Sequence, residues 1–243
     1  MKILHQSSNN QNTVAFGSKN RPIKSFQIPT SKDELSVTEM KATDCKAKKE
    51  THKLAKFYVD NFIDGSIDPS WKKYKDSANK AKYEKKINAI ADFIEGVFSK
   101  DDGNSTVLVA RDSKNKIRGS VMTYSFDEIK GLEDPKTFYL DSLAVDKSYR
   151  HNQIGTILAN KSLETAKGIF TDAVLTGYNK AVPLYLKLGF KVSEINCPTK
   201  KAVFNKIVET RTDIPKYTQL MEMSLDEKAT RWWKRAYKNL KRT

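Results

Sequence analysis

Two cysteines in 243 residues, Cys45 and Cys197, are too few for a disulfide framework, and three scattered histidines add no metal-ligating spacing. Metal-centred and disulfide-stapled proteins are therefore set aside, and a reducing, cytoplasmic setting is expected. No stretch approaches the roughly 18 consecutive apolar residues that cross a bilayer. The opening MKILHQSSNNQNTV has no apolar segment behind its lysine, so a standard secretory signal is not expected either. Negative charge is scarce as well: 29 Asp and Glu stand against 44 Lys and Arg, a net +15. Such a field draws polyanions, whether nucleic acid, anionic lipid or a phosphorylated cofactor, and repels polycations.

What is present suffices for one core with decorations, since 38% of the chain is hydrophobic. Residues 1–33, rich in Asn, Gln, Ser and Lys without a period, are expected to be a disordered tail. Residues 34–224 carry the patterns of a folded domain and residues 225–243 those of a basic amphipathic helix. ELSVTEMKAT alternates as a strand. KAKKETHKLAKFYVDNFI and KYEKKINAIADFIEGVF place Leu54, Tyr58, Phe62 and Ile87, Ile94, Phe98 at helical spacing. STVLVARDSKNKIRGSVMTYSF reads as a hairpin turning at residues 112–116. The buried strand TFYLDSLAVD precedes a helix from Ile154 to near Phe170. After it come a strand DAVLTG, a short helix KAVPLYLKLGF closed by Gly189, a strand FKVSEIN, a helical turn or two in TKKAVFNKIVET, and a strand YTQLMEMSL. In SLDEKATRWWKRAYKNLKRT, Ser224 and Glu227 have capping-box spacing ahead of the terminal helix. No internal repeat is present.

SYRHNQIGTIL, residues 148–158, lies between a strand and a helix start. Backbone N–H groups and the positive end of the helix dipole point outward from such a junction, which suits a phosphate or pyrophosphate. LAVDKSYRHNQIGTIL followed by NKAVPLYLKLGF resembles the signature segments of the GNAT superfamily of N-acetyltransferases. Its members carry an Arg/Gln-x-x-Gly-x-Gly/Ala loop after a strand ending in a Leu-Ala-Val-like triplet. The resemblance covers about residues 34–224, with its specific motifs between Thr137 and Phe190. It implies an α/β (α+β) fold, a mixed and mostly antiparallel central sheet flanked by helices, here with an appended C-terminal helix. Gly155 matches the second glycine of the loop, and Gln153 replaces the first. Because glycine alone tolerates positive φ freely, Gln153 suits this position only if it keeps helical or extended dihedrals.

The resemblance further implies acetyl-CoA as cosubstrate and no metal. N–H groups of His151, Asn152, Gln153, Ile154, Gly155 and Thr156 would hold its pyrophosphate, with Arg150 reaching a phosphate. The strand at Leu143, Ala144 and Val145 would part from its neighbour and bond the pantetheine arm through its backbone. Asn179 resembles the family asparagine on the same arm, one residue closer to Tyr185 than usual, so either the loop is shortened or Tyr178 takes the slot.

Acetyl transfer to an amine needs the amine neutral, the thioester carbonyl polarised and the leaving thiolate protonated. An alkylamine with a pKa of about 10.4 is mostly protonated at pH 7, a deficit of roughly 4 kcal/mol. Tyr185 stands where the family often has its proton donor, and a phenol of pKa near 10 can protonate a thiolate of similar basicity. The base is open: Tyr139 occupies the position of a glutamate found in some members, and Asp141 shares its strand face if no bulge intervenes.

The acceptor site of the family is shaped by the early helices and last hairpin, here residues 64–100 and 196–217. The +15 charge favours an amine on a protein or small molecule over a polycation. Two other readings stay open. Gln153, Tyr139 and the shifted Asn179 would suit a catalytically inactive acyl-CoA-binding protein of this fold. RWWKRAYKNLKR would suit a nucleic-acid-binding helix, unless Trp232 or Trp233 packs it onto the domain.

Overall fold

The computed structural model describes residues 25–62, 79–99, 105–129, 131–167, 169–210, 218–226 and 231–241. Most of the expected tail, parts of both acceptor-side segments and Glu227 lie outside these residues.

Alternating side chains build the sheet. In β3 (Ser105–Arg111) Val107 and Val109 face one core, Leu108 and Ala110 the other. β4 (Ile117–Ser125) runs antiparallel to β3 and divides Met122 and Tyr124 from Val121 in the same way. The turn between them closes on the Asp112 carboxylate, which accepts the N–H groups of Lys114 and Lys116. Outside β3 lie β2 (Glu34–Glu39) and β1 (Phe26–Pro29), each antiparallel to its neighbour. Thus the expected tail contains a strand. Phe26 and Ile28 are too short a pattern to register alone, but pairing with β2 buries Ile28 completely.

On the other side of β4 stand β5 (Thr137–Val145), antiparallel to it, and β6 (Asp172–Tyr178), parallel to β5. The sheet ends with β8 (Thr218–Ser224) and the edge strand β7 (Lys191–Val192), giving the order β1-β2-β3-β4-β5-β6-β8-β7 among the described residues. The parallel step requires a crossover, supplied by α4 (Ile154–Ala166).

Helices cover both faces. α1 (Ala42–Lys46), α2 (Lys48–Phe62) and α3 (Lys80–Phe98) bring Cys45, Leu54, Tyr58, Ile87 and Ile94 onto one face, where α6 (Pro198–Thr210) adds Val203 and Ile207 and α7 (Trp232–Leu240) adds Trp232 and Ala236. α4 and α5 (Val182–Lys187) bring Ile154, Leu158 and Tyr185 onto the other. Each large side chain so buried contributes about 1.5–3 kcal/mol. α6 is a full 13-residue helix where a turn or two was expected. The expected capping box involves Glu227 and so lies outside the described residues; Ser224 itself pairs with Asp172 as the end of β8, and α7 begins at Trp232 with Arg231 at its N-cap.

Candidate active site

β5 and β6 pair only at Thr137–Asp172, Phe138–Ala173 and Tyr139–Val174. Beyond these pairs β5 continues along β4 to Val145 and β6 along β8 to Tyr178, so the sheet opens into a wedge. The divergence has a local cause. Thr123 opposes Leu140 but Val121 opposes Leu143, so Met122 faces two residues, Asp141 and Ser142. This β-bulge bends the strand and shifts its alternation, as Phe138 and Leu140, then Leu143 and Val145, belong to the same core. The regular strand assumed for placing Asp141 on the Tyr139 face is corrected: Asp141 lies in the bulge itself.

The bulge also sets the backbone direction. Asp146 N–H donates to the Arg118 carbonyl at 2.8 Å, which makes Val145–Gly119 a non-hydrogen-bonded pair. The N–H and C=O groups of Val145, and by the same parity those of Leu143 opposite Val121, therefore turn away from β4 toward the wedge. Arg150 Nε donates to the Val145 carbonyl at 3.2 Å from that side. Ala144 instead bonds Ser120 across the ladder, and its side chain is buried in the opposite core.

At the mouth of the wedge the chain makes a single 3-10 turn, Lys147–Tyr149, capped by Asp146, which accepts the Ser148 N–H. It then passes through His151 at φ 68 and Gln153 at φ 60 before entering α4. The condition of ordinary dihedrals at Gln153 is thus not met: glutamine holds the left-handed conformation that glycine would take freely. Ile157 N–H donates to the Gln153 carbonyl at 2.9 Å, and the N–H groups of Ile154, Gly155 and Thr156 point out of the helix end. A Cβ placed on Gly155 would lie 3.6 Å from Val145 and 3.8 Å from Leu143, so this loop sits directly against the diverging part of β5. His151 is exposed, and its backbone shapes the turn.

Tyr185 approaches from α5, a helix started by Pro183 and closed by Gly189 at φ +93. Its ring lies on β6 over Gly177, where an added Cβ would come within 3.2 Å of Tyr185 Cδ2. Only 6% of Tyr185 is exposed. Burial, and secondarily the charge of Asp141, push its phenol well above the usual tyrosine range. The same two causes, in the same order, raise Tyr58, whose hydroxyl donates to Ser120 Oγ at 2.8 Å. Asp141 is therefore the carboxylate within electrostatic reach of both phenols.

Tyr139 is fully buried, and its hydroxyl bonds Thr176 Oγ1 at 2.8 Å, bridging β5 and β6 where they part. Asn179 is exposed in the turn after β6, which closes from Ala181 N–H to the Tyr178 carbonyl at 2.7 Å. The Tyr178 ring stands 6.3 Å from that of Phe62 on α2, so Tyr178 packs toward the early helices while Asn179 is exposed. Sequence reasoning missed the β1–β2 turn, which touches the loop at Tyr149 and Asn152, and missed Arg118, which joins Asp112 and Asp146 and lies over the Tyr149 ring at 4.6 Å. Contacts between residues so distant in sequence leave no local pattern. Among the described residues, no group of three or more His, Cys, Asp or Glu is arranged to hold a metal ion, and no helix is long and apolar enough to cross a membrane.

The sequence profile described as Acetyltransferase (GNAT) family matches residues 68–190, half of the chain. The chain belongs to that family, and its sheet and helix layers have the GNAT fold. Solved structures similar to it include the PaiA N-acetyltransferase of Thermoplasma acidophilum in complex with coenzyme A, at 16% identity and a TM-score of 0.45, spanning 78% of this chain and 98% of that one. A GNAT-family acetyltransferase from Staphylococcus aureus Mu50 is also 16% identical, with a TM-score of 0.48 and coverage of 78% and 99%. N-acetylglutamate synthase from Neisseria gonorrhoeae, complexed with coenzyme A and N-acetyl-glutamate, is 13% identical with a TM-score of 0.41, spanning 56% of this chain and 28% of that one. None of the proteins of curated function matches the chain. The profile match carries the assignment.

Proposed function

We propose that the protein is an acetyl-CoA-dependent N-acetyltransferase that acetylates a primary amine by direct attack on the thioester. The observation that carries this reading is the wedge between β5 and β6, with the outward N–H groups of α4 at its mouth and Tyr185 on its wall. In this reading the N–H groups of residues 151–156 hold the pyrophosphate, helped by the positive end of the α4 dipole. Backbone groups of Leu143 and Val145 bond the pantetheine arm, and a strand N–H polarises the thioester carbonyl, a contact worth a few kcal/mol in a dry site. In this reading Arg150, whose Nε donates to the Val145 carbonyl, leaves that carbonyl to reach a phosphate.

The amine nitrogen bonds to the acetyl carbon, the carbon–sulfur bond breaks, and the Tyr185 hydroxyl gives its proton to the departing sulfur. A phenol is protonated at neutral pH in any case; burial and the Asp141 charge make this one a weaker acid than an ordinary tyrosine, so its transfer to the thiolate is uphill unless the bound cofactor lowers that pKa. The proton lost by the amine goes to Asp141, directly or through water, and the tyrosinate takes a proton back from solvent. Tyr139 lacks a carboxylate, and its hydroxyl is committed to Thr176, so it is assigned the wedge apex and not the base. The acceptor is an amine on a protein or small molecule, since a net +15 repels polycations. α7 is given no nucleic-acid role: Trp232 is 2% exposed and Arg235 is spent on ion pairs within the domain. The test is Tyr185→Phe, expected to keep acetyl-CoA affinity while acetyl transfer across an amine panel falls at least about tenfold, the size of a modest acid–base contribution. Equal turnover by the two proteins would remove Tyr185 as the acid.

A further inference from the structure

Two left-handed residues in one short loop need support from outside it. His151 and Gln153 both adopt positive φ without being glycine, and such residues persist where their surroundings fix them. That support comes from the β1–β2 turn, residues 30–33. Ser31 N–H donates to Asn152 Oδ1 at 3.1 Å, while Asn152 Nδ2 donates to the carbonyls of Tyr149 at 3.1 Å and Arg150 at 3.3 Å. One amide side chain thereby ties the turn to the loop on both sides of His151. The Tyr149 hydroxyl donates to Asp33 Oδ2 at 3.1 Å, and its ring meets Lys32 Nζ at 5.1 Å and the Arg118 guanidinium at 4.6 Å. The turn is itself closed, with Thr30 N–H and Oγ1 both donating to the Asp33 carbonyl at 2.9 and 2.7 Å. Arg118, pinned by Asp112 and Asp146, fixes the other side of Tyr149.

We propose that the β1–β2 turn braces the phosphate loop, and that Asp33, Tyr149 and Asn152 are positioning residues that hold its N–H groups in register for acetyl-CoA. The inference rests on the cofactor reading above. None of the three acts on the thioester. They act through the backbone of residues 149–153, so their effect falls on the phosphate half of the cofactor.

The experiment is calorimetric titration of the full chain with acetyl-CoA and, separately, with acetyl-pantetheine, which has the thioester arm but no pyrophosphate. Tyr149→Phe, Asn152→Ala and Asp33→Ala are expected to raise the acetyl-CoA Kd about fivefold to tenfold, each by the loss of one or more hydrogen bonds between turn and loop. Acetyl-pantetheine affinity stays unchanged, and Asp33→Asn, which keeps an acceptor oxygen, stays close to wild type. An unchanged acetyl-CoA Kd in all three variants overturns the brace, as does an equal loss for acetyl-pantetheine. If Tyr149→Phe does not fold, the Asp33→Ala and Asp33→Asn pair, on a turn at the sheet edge, decides alone. Failure of the wild-type chain to bind acetyl-CoA removes the cofactor reading and the brace with it, whereas wild-type binding with indifferent variants removes only the brace.

Discussion

Gln153 holds a conformation that costs an L-residue roughly 1–2 kcal/mol, and glycine would avoid that strain while adding some freedom to the unfolded chain. Gln153→Gly is therefore expected to stabilise the protein by up to about 1 kcal/mol, read from the denaturation midpoint at constant m-value; a loss of stability would show that the glutamine side chain supports the loop. Sequence flagged this position through its departure from the family pattern, but the contacts around its loop, at Tyr149 and Asn152, come from a turn more than a hundred residues upstream. Tyr185 was legible because its spacing to Gly189 is local, and so is the helix that carries it. Asp141 was only half legible. Its charge reaches Tyr185, but the bulge that puts it there depends on how β4 and β5 register, and a single strand does not encode that.

At the scale of elements, long periodic segments predicted themselves: α2, α3, the β3–β4 hairpin, β5 and α4 lie where their patterns place them. The exceptions are short or competed for. Phe26–Pro29 is a strand only because β2 offers it a ladder, and Ser224 is drawn into β8 by Asp172. α7 spans Trp232–Leu240 within the basic amphipathic helix expected over residues 225–243, and its anchor could not be foreseen. Arg235 joins Asp134 at 3.0 Å and Asp172 at 2.9 Å, and also bonds Thr137, so α7 grips the first residues of β5 and β6 just where these strands remain paired. Asp134 and Asp172 side chains are 3% and 9% exposed, and burial raises the Asp172 pKa despite the arginine beside it. Arg235→Ala would leave two buried carboxylates without their cation and is expected to cost about 3–5 kcal/mol in chemical denaturation. The exposed Lys238→Ala on the same helix should change stability by less than about 0.5 kcal/mol. Similar losses from both variants would mean that α7 is not anchored through this network.

For the whole molecule, the family could be read from two short segments because the phosphate loop and α5 carry local signals, a strand end, a helix start and a closing glycine, whereas the bulge that opens the wedge depends on strand register. The acceptor could not, because the segments expected to shape its site, residues 64–100 and 196–217, are far apart in sequence and lie partly outside the described residues, and an overall +15 limits only the sign of what approaches. Everything proposed for the chemistry depends on the wedge taking acetyl-CoA. The most direct test is thermal melting of the full chain with and without saturating acetyl-CoA. At about one hundred times the dissociation constant, binding should stabilise the fold by roughly 2.7 kcal/mol, a rise in Tm on the order of 5–10 °C. An unchanged Tm at millimolar acetyl-CoA would contradict the account, and would mean that the Gln153 loop does not accept the pyrophosphate.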